Sequence, residues 1–187
     1  MKFPVIAASF AAWVFATAVQ AAPEPCRDAP NGKVLDFWVG DWTVVDVKDG
    51  SKLGDSRIER VLGGCAVTED WHGTGDDDDQ GRSLFTFDAR SGLWDQVWVT
   101  GDTSRPGGLK TKQMIAARPD GAVRFQGTLY VRSGITLLDR TTLTLQPDGR
   151  VRQTIEDSRR RHKLERRFRC VLSEEEHLIL PRHHGRA

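Results

Sequence analysis

The chain has 187 residues, of which 39% are hydrophobic and 28% charged, and its 27 Lys and Arg nearly balance its 26 Asp and Glu. A protein of this length forms one domain of ordinary size with a proper core, and it leaves no room for a second domain. The near-neutral charge excludes functions that depend on long-range attraction, so we expect no nucleic-acid partner and no binding to an anionic membrane surface.

The first 21 residues have the three parts of a secretory signal peptide. Lys2 supplies the charged end, an apolar run follows from Phe3 to Val19, and Val19-Gln20-Ala21 forms a small-residue cleavage site. The sequence therefore predicts a signal peptide at 1–21, a mature domain at 22–173 and a C-terminal tail at 174–187. We expect a periplasmic or secreted protein without stable membrane insertion. The alternative is a retained N-terminal membrane helix, which the cleavage site disfavours.

Three cysteines, Cys26, Cys65 and Cys170, would meet an oxidising compartment after export. They allow three single pairings and leave one thiol over. We favour a Cys26–Cys65 disulfide, because it would tie an otherwise untethered N-terminal segment to the domain. The two pairings that use Cys170 remain alternatives. The spacings fit neither a zinc ribbon nor a redox Cys-x-x-Cys motif.

The segment from Lys33 to Val39 lacks the alternation of a strand. Its apolar residues Val34, Phe37 and Trp38 recur at helical spacing, which predicts a short N-terminal helical turn. Such a turn could plug one end of the domain that follows.

From residue 41 onward the chain reads as short strands separated by Gly- and Asp-rich turns. Several segments alternate in the strand manner and are rich in Val, Thr, Leu, Phe and Trp. The predicted strands are residues 41–48, 55–62, 65–72, 82–88, 94–100, 109–117, 122–132, 135–146, 150–157 and 164–172.

Ten consecutive strands joined by tight turns predict an all-β fold, an antiparallel up-and-down β-barrel. The barrel must close to avoid unpaired edges, and one with more than about eight strands is wide enough to hold a small molecule. A two-sheet sandwich is the alternative, because strand count and spacing do not separate the two architectures.

The triplet Gly40-Asp41-Trp42 opens the first predicted strand. Through it the chain resembles the calycin group, which comprises the lipocalins and fatty-acid-binding proteins. In lipocalins the indole of such a triplet lies across the closed end of the barrel, often under a basic residue from the last strand. The resemblance implies that place for Trp42, with Arg167 or Arg169 as its basic partner.

More specifically, the chain is similar to a family of uncharacterised, lipocalin-like secreted bacterial proteins that has no settled activity. After Ser158 it departs from that family, which tends to have a Gly-rich turn and a Trp where this chain has Arg159-Arg160-Arg161-His162-Lys163. The matching motifs are Phe37-Trp38-Val39-Gly40-Asp41-Trp42, Gly64-Cys65 with Glu69 and Trp71, Gly81-x-Ser83, Trp94-x-Gln96-x-Trp98-Val99, Met114, and Val151-Arg152-Gln153 with Glu156 and Ser158.

Aromatic and polar residues share faces of the predicted strands. Trp94, Gln96 and Trp98 lie on one face of a strand, and Glu69 shares a face with Trp71 on another. Facing inward, they would form an aromatic pocket with a few orienting polar groups, and the alternative is that the indoles only pack the core. The candidate ligand-binding residues are Trp42, Glu69, Trp71, Gln96, Trp98, Met114, Arg140 and Glu156.

Polar residues within strands need partners or a ligand wherever they face the interior. Glu69, Gln96, Gln153 and Glu156 are such residues, and Arg140 could pair with a glutamate or hold an anionic head group. The alternative for each is an outward, solvated position.

Two charged segments are better explained by exposure to solvent than by a binding function. Asp76-Asp77-Asp78-Asp79-Gln80-Gly81 resembles the start of a calcium loop, but Phe87 occupies the twelfth position, where a Glu is required. The basic stretch from Arg159 to Arg169 could bind phosphate, lipopolysaccharide or nucleic acid, although such runs more often protect a barrel rim from pairing.

The leading functional hypothesis is a binding protein that encloses a small, largely hydrophobic molecule and uses no cofactor. A second hypothesis is a barrel enzyme of the isomerase, cyclase or hydratase type, with Glu69 or Glu156 as a buried acid–base group. A third is a haem-binding barrel with His72 or His162 as the ligand, and His72 could also serve acid–base chemistry or a metal.

Overall fold

The structure is a computed structural model that describes residues 24–75, 79–104, 106–117, 121–131, 135–160 and 163–174. Within these ranges, the side chains of 116–117, 159–160, 163–169 and 174 are not described. The predicted signal peptide and C-terminal tail lie outside the described residues, apart from the backbone of residue 174.

The described chain forms ten strands, each with bounds within three residues of those predicted from sequence. Val, Thr and aromatic side chains fit the pleated, half-buried surface of a sheet, and Gly or Asp occupies most of the turns. The strands are β1 Gly40–Asp46, β2 Lys52–Val61, β3 Ala66–Gly73, β4 Gln80–Asp88, β5 Leu93–Thr100, β6 Leu109–Ala117, β7 Val123–Tyr130, β8 Thr136–Leu145, β9 Val151–Arg160 and β10 Lys163–Glu174.

Every strand pairs antiparallel with its sequence neighbours, and β1 also pairs with β10, so the sheet closes into a barrel. Val44 lies opposite Leu172 across this closing pair. The predicted closed up-and-down barrel is confirmed, and the sandwich alternative is wrong, because the pairing of the first and last strands leaves no free edge.

The two ends of the barrel differ. At the plug end, where β2 meets β3 and β4 meets β5, a 3₁₀ turn at Asp36–Trp38 lies within the predicted helical segment. The opposite end, the loop end, carries the connections from β1 to β2, β3 to β4, β5 to β6, β7 to β8 and β9 to β10.

A disulfide between Cys26 and Cys65 joins the N-terminal segment to the residue before β3, which confirms the favoured pairing. The link closes a loop of 39 residues in sequence. It restrains the segment that covers the plug end, because the unfolded chain can no longer separate these two points.

Polar contacts hold the same segment in place. Arg60 donates a hydrogen bond to Asp36 and lies over the Trp94 ring, with its guanidinium carbon 5.5 Å from the ring centroid. The Trp94 indole nitrogen donates to the carbonyl of Asn31 at 2.9 Å. Residues 24–39 are thus fixed across the plug end by both charge and indole contacts.

The half of the barrel next to the plug end is solidly packed. Trp38 meets Phe85 edge to face at a centroid distance of 5.2 Å, and Phe85 meets Phe125 at the same distance. The core around them includes Leu35, Trp42, Ile58, Val67, Phe87, Trp94, Met114, Val123, Leu143, Val151 and Cys170. This packing forms a floor, and the interior toward the loop end is hollow above it.

Candidate functional site

The barrel interior contains a cavity of about 340 Å³ on the loop-end side of this floor. That volume lies near the lower end of the roughly 300–1,000 Å³ typical of small-molecule sites. The lining combines indole and aliphatic groups with several polar side chains. Its residues are Val44, Leu53, Ser56, Glu69, Trp71, Asp79, Gln96, Trp98, Lys110, Lys112, Thr141, Gln153, Ile155 and Leu172.

Four of the eight predicted ligand-binding residues, Glu69, Trp71, Gln96 and Trp98, line this cavity. The alternation of β3 and β5 brings them together, since residues two apart in a strand point to the same face. Whether they contact a ligand stays a prediction. The structure shows that all four side chains lie on the inner wall of the barrel.

Each of the two indoles lies over a glycine on a neighbouring strand. A Cβ at Gly81 would come within 2.4 Å of the Trp98 ring, and one at Gly54 within 2.7 Å of the Trp71 ring. Each ring therefore lies close against a glycine, at a place where any side chain would displace it. These two glycines shape the cavity wall, although neither is in a turn.

Glu69 is the centre of a hydrogen-bonded group on one wall. Its carboxylate accepts from the hydroxyl of Ser56 at 3.2 Å and from that of Ser83 at 2.7 Å. Ser83 in turn accepts from Nε2 of Gln96 at 3.2 Å. The Oε1 atom of Gln96 is buried and has no hydrogen-bond partner among the described residues.

Burial raises the pKa of Glu69 above its ordinary value, because a charged carboxylate in the interior loses its hydration. The hydrogen bonds from Ser83 and Ser56 oppose this shift but do not reverse it. Glu69 can therefore hold a proton at a higher pH than an exposed glutamate does. A carboxyl group in this state can donate as well as accept a hydrogen bond.

Lys112 is the centre of a second polar group, on β6, where it pairs with Gln96 of β5. Its Nζ atom donates to Oγ1 of Thr141 at 2.5 Å and forms an ion pair with Oδ2 of Asp139 at 3.0 Å. Lys110 lies 3.7 Å from the same carboxylate oxygen. The Lys112 side chain is only 3% exposed and that of Asp139 only 2%.

Burial lowers the pKa of Lys112 to about 8, and the Asp139 carboxylate limits the shift by favouring the charged amine. The contact between these two residues crosses β7, which lies between their strands. Gly127 is the β7 residue between them, since it pairs with Lys112 on one side and with Asp139 on the other. A Cβ at Gly127 would come within 1.9 Å of the carbonyl oxygen of Thr111, so only glycine allows β6 and β7 to approach this closely beside Lys112.

Trp42 and Met114 lie in the packed floor and do not line the cavity. The indole nitrogen of Trp42 donates to the carbonyl of Trp38 at 2.9 Å, which joins the first strand to the plug. The resemblance implied a basic partner for Trp42 from Arg167 or Arg169, and the side chains of both lie outside the described part of the structure.

Arg140 and Glu156 also do not line the cavity. Arg140 follows the inward Asp139, and its guanidinium donates to Oε1 of Gln126 at 2.8 Å. Glu156 is half-buried and follows Ile155, which does line the cavity. Both residues alternate with inward side chains, so the pleat directs them away from the interior.

The sequence patterns did not indicate the cavity-lining lysines Lys110 and Lys112, or the partners of Lys112, which are Asp139 and Thr141. The run Leu109-Lys110-Thr111-Lys112-Gln113-Met114 alternates in the strand manner. Its lysines share a face with the buried Met114, and this alternation was the available signal. Lysines at every second position suggest a solvated face, which is why the pattern was misleading.

Of the other residues considered from sequence, Asp79 and Gln153 line the cavity and His72 does not. His72 is exposed on β3, and His162 and the acidic residues 76–78 lie outside the described residues. The backbone of the basic segment belongs to β9 and β10, but its side chains are not described. Among the described residues, no group of three or more His, Cys, Asp or Glu is arranged to hold a metal ion.

Cys170 is a free, buried thiol in the barrel interior. Burial raises its pKa to about 12, and the thiol lies 3.3 Å from Oε1 of Gln153. The thiolate form required for nucleophilic chemistry is therefore disfavoured here.

No helix within the described residues is both long and apolar enough to span a bilayer.

Comparison with known proteins adds no family assignment. The chain matches no protein-family model, and a search of curated proteins finds no significant match.

Proposed function

We propose that this chain is an extracytoplasmic binding protein of the calycin type that encloses one small, largely apolar molecule with a polar end. The observation that carries the proposal is the cavity of about 340 Å³, walled by Trp71 and Trp98 and containing buried polar groups on its walls. Mostly apolar walls with a few placed polar groups are the usual composition of a small-molecule site. The Cys26–Cys65 disulfide and the predicted signal peptide support an oxidising compartment.

The polar wall favours a ligand with a hydrogen-bond donor. Gln96 is only 8% exposed, and its Oε1 atom lacks a partner among the described residues. A buried acceptor without a partner costs roughly 1–3 kcal/mol, and a ligand hydroxyl or amine at this point would recover that cost. The indoles would contact the apolar remainder of the ligand.

Co-purification tests the proposal. The mature protein, produced with its own signal sequence and purified under native conditions, is expected to carry a small molecule that native mass spectrometry detects at one per chain. Trp98→Leu removes one wall of the cavity, and we expect it to reduce the bound fraction at least tenfold.

Val97→Leu is the matched control, because Val97 lies on the same strand but points outward and is 42% exposed. It should retain the ligand. If the native protein carries no molecule and no apolar compound raises its melting temperature, the proposal fails.

A second function, acid–base catalysis on the enclosed molecule, is favoured by one specific observation. Glu69 lines the cavity, and its pKa is raised by burial, as general acids and bases require. Glu156, the other candidate, does not line the cavity. Glu69→Gln should abolish turnover of the bound compound while leaving its binding measurable, and unchanged turnover would exclude this function.

A further inference from the structure

The buried amine of Lys112 lines the cavity, and simple binding of an apolar molecule makes no use of it. We propose that Lys112 forms a reversible imine with a ligand aldehyde or ketone, so that the cavity retains carbonyl compounds covalently. This inference rests on the proposed binding function and names the ligand class that the site would take.

The position of the amine supports this role. Its Nζ atom donates a hydrogen bond to Thr141 and forms an ion pair with Asp139 at 3.0 Å. These contacts hold the amine at the cavity wall, which the Lys112 side chain lines. A carbonyl compound seated against Trp71 and Trp98 would share the same enclosed space, which favours reaction by proximity.

The charge state of the amine is also suitable, because imine formation requires a free lone pair on nitrogen. Burial and Lys110 oppose the charged form of Lys112, whereas Asp139 and Glu69 favour it. Burial is the strongest effect and lowers the pKa of Lys112 to about 8. At pH 7.5 roughly a quarter of the amine is then uncharged, against about one part in a thousand for an exposed lysine.

The reaction balances without any oxidant or reductant. The ammonium loses a proton, and its nitrogen attacks the carbonyl carbon. The nitrogen then loses a second proton while the carbonyl oxygen takes one up, which gives a neutral carbinolamine. Protonation of that hydroxyl expels water as the carbon–nitrogen double bond forms. One ammonium and one carbonyl thus give one iminium ion and one water molecule. Glu69, which lines the same cavity and holds a proton more firmly than an exposed glutamate, is a suitable donor for the departing oxygen.

Asp139 would stabilise the product. The iminium nitrogen keeps its positive charge and one hydrogen, so the ion pair that Lys112 already forms with Asp139 at 3.0 Å can persist. An iminium ion without a counter-ion would be costly in this interior. The buried carboxylate therefore supplies the charge balance before the ligand arrives.

Reductive trapping tests the proposal. The folded mature protein is incubated at pH 7.5 with straight-chain aldehydes from hexanal to dodecanal and with 4-isopropylbenzaldehyde, and is then treated with sodium cyanoborohydride. Peptide mass spectrometry locates the adducts. We expect at least one aldehyde to label Lys112 more than tenfold above every exposed lysine.

Two variants serve as controls. Lys112→Arg keeps the positive charge beside Asp139 but cannot form an imine, and it should remove the selective adduct. Lys52→Arg changes an exposed lysine of β2 that does not line the cavity, and it should keep the adduct at Lys112. Circular dichroism of each variant checks that the barrel has folded. Labelling of the native protein tests the proposal even if a variant does not fold.

The alcohols that correspond to these aldehydes separate this proposal from the binding function. If the alcohols bind but no aldehyde labels Lys112 above the exposed lysines, the imine is overturned and the binding proposal stands. If selective labelling falls on Lys110 instead, the assignment of Lys112 is also overturned. If neither class binds and no lysine is selectively labelled, both proposals fail together.

Discussion

At the scale of single residues, the interior of this barrel differs from an ordinary apolar core by its buried charges. Lys112 and Asp139 are both almost fully buried and form an ion pair at 3.0 Å. The attraction between two buried charges is largely offset by the hydration that both lose. The presence of this ion pair is therefore better explained by function than by stability. Two pKa shifts in this interior lead to residue-scale predictions.

Lys112 should make the protein more stable as pH rises from about 8 to 10. Its pKa is about 8 in the folded state and roughly 10.4 when unfolded, so within this window the unfolded chain binds the extra proton. The contribution of Lys112 to the free energy of unfolding should therefore rise by up to about 3 kcal/mol. Cys170, whose pKa is higher in the folded protein than in the unfolded chain, opposes this rise above about pH 9, so the Lys112 contribution is the difference between the native protein and the control variant. Urea unfolding at a series of pH values measures this.

The control is the double variant Lys112→Gln with Asp139→Asn, which removes both charges of the pair. Its free energy of unfolding should be flatter across the same window. An equal slope in the native protein and the double variant would show that Lys112 is not the group responsible.

Cys170 should be inert in the folded protein, because burial raises its pKa to about 12 and keeps reagents away. Iodoacetamide at pH 8 is expected to modify it at least a hundredfold more slowly than in denaturant. Mass spectrometry of the intact protein measures the rate. Rapid modification of the native protein would mean that the interior around Cys170 is open to solvent.

At the scale of strands, the sequence was sufficient to locate the elements but not to orient all of their faces. Strand bounds follow from turn residues and alternation, which are local signals. Which face of a strand points inward depends on how the strand pairs with its neighbours. A shift of the register by one residue moves every side chain from the inner face to the outer face. The candidate roles of Arg140 and Glu156 require inward side chains, with outward positions as the alternative. The structure directs their neighbours Asp139 and Ile155 into the barrel.

In β6, too, the local sequence does not show which face of the strand is buried. Its exposed residues include Leu109 and Ile115, while Lys112 is buried. A pattern of this kind is typical of a solvated lysine face unless a distant carboxylate compensates the charge. Asp139 supplies that charge from β8, and no local rule could have paired the two residues.

Gly81→Ala tests whether a glycine positions an indole of the cavity. Its Cβ would lie 2.4 Å from the Trp98 ring, so we expect a loss of about 1–3 kcal/mol in the free energy of unfolding. In a Trp98→Leu background the same change should cost markedly less, because the smaller side chain can yield. A double-mutant cycle by urea unfolding measures this coupling, and additive effects would contradict the contact.

The disulfide between Cys26 and Cys65 should stabilise the plug end of the barrel. Replacing both cysteines by serine is expected to lower the free energy of unfolding by about 2–4 kcal/mol, as for other natural disulfides. Denaturant unfolding measures it. Dithiothreitol should destabilise the native protein by a similar amount and leave the double-serine variant unchanged. Equal sensitivity of both proteins to the reductant would contradict this role.

At the scale of the whole molecule, the closed barrel was predictable because ten short strands without crossover helices leave few other ways to satisfy the edges. The division of the interior was not predictable. Aromatic residues fill the half near the plug, and the other half remains a cavity of about 340 Å³. The register of strand pairing around the whole barrel determines which indoles pack in the core and which line the cavity. Trp42 is therefore core, although Trp98 borders the cavity.

The central claim is that this cavity, and no surface patch, receives a small molecule. Titration with an uncharged naphthalene probe tests this claim directly, with binding measured by energy transfer from tryptophan to the probe. The comparison is between the variants Ile155→Trp and Thr154→Trp. Ile155 lines the cavity, whereas Thr154 occupies the adjacent, outward position on β9. We predict saturation at one probe per chain in the native protein and in Thr154→Trp, with binding lost in Ile155→Trp. Equal binding by both variants, or no saturable binding at all, would contradict the account.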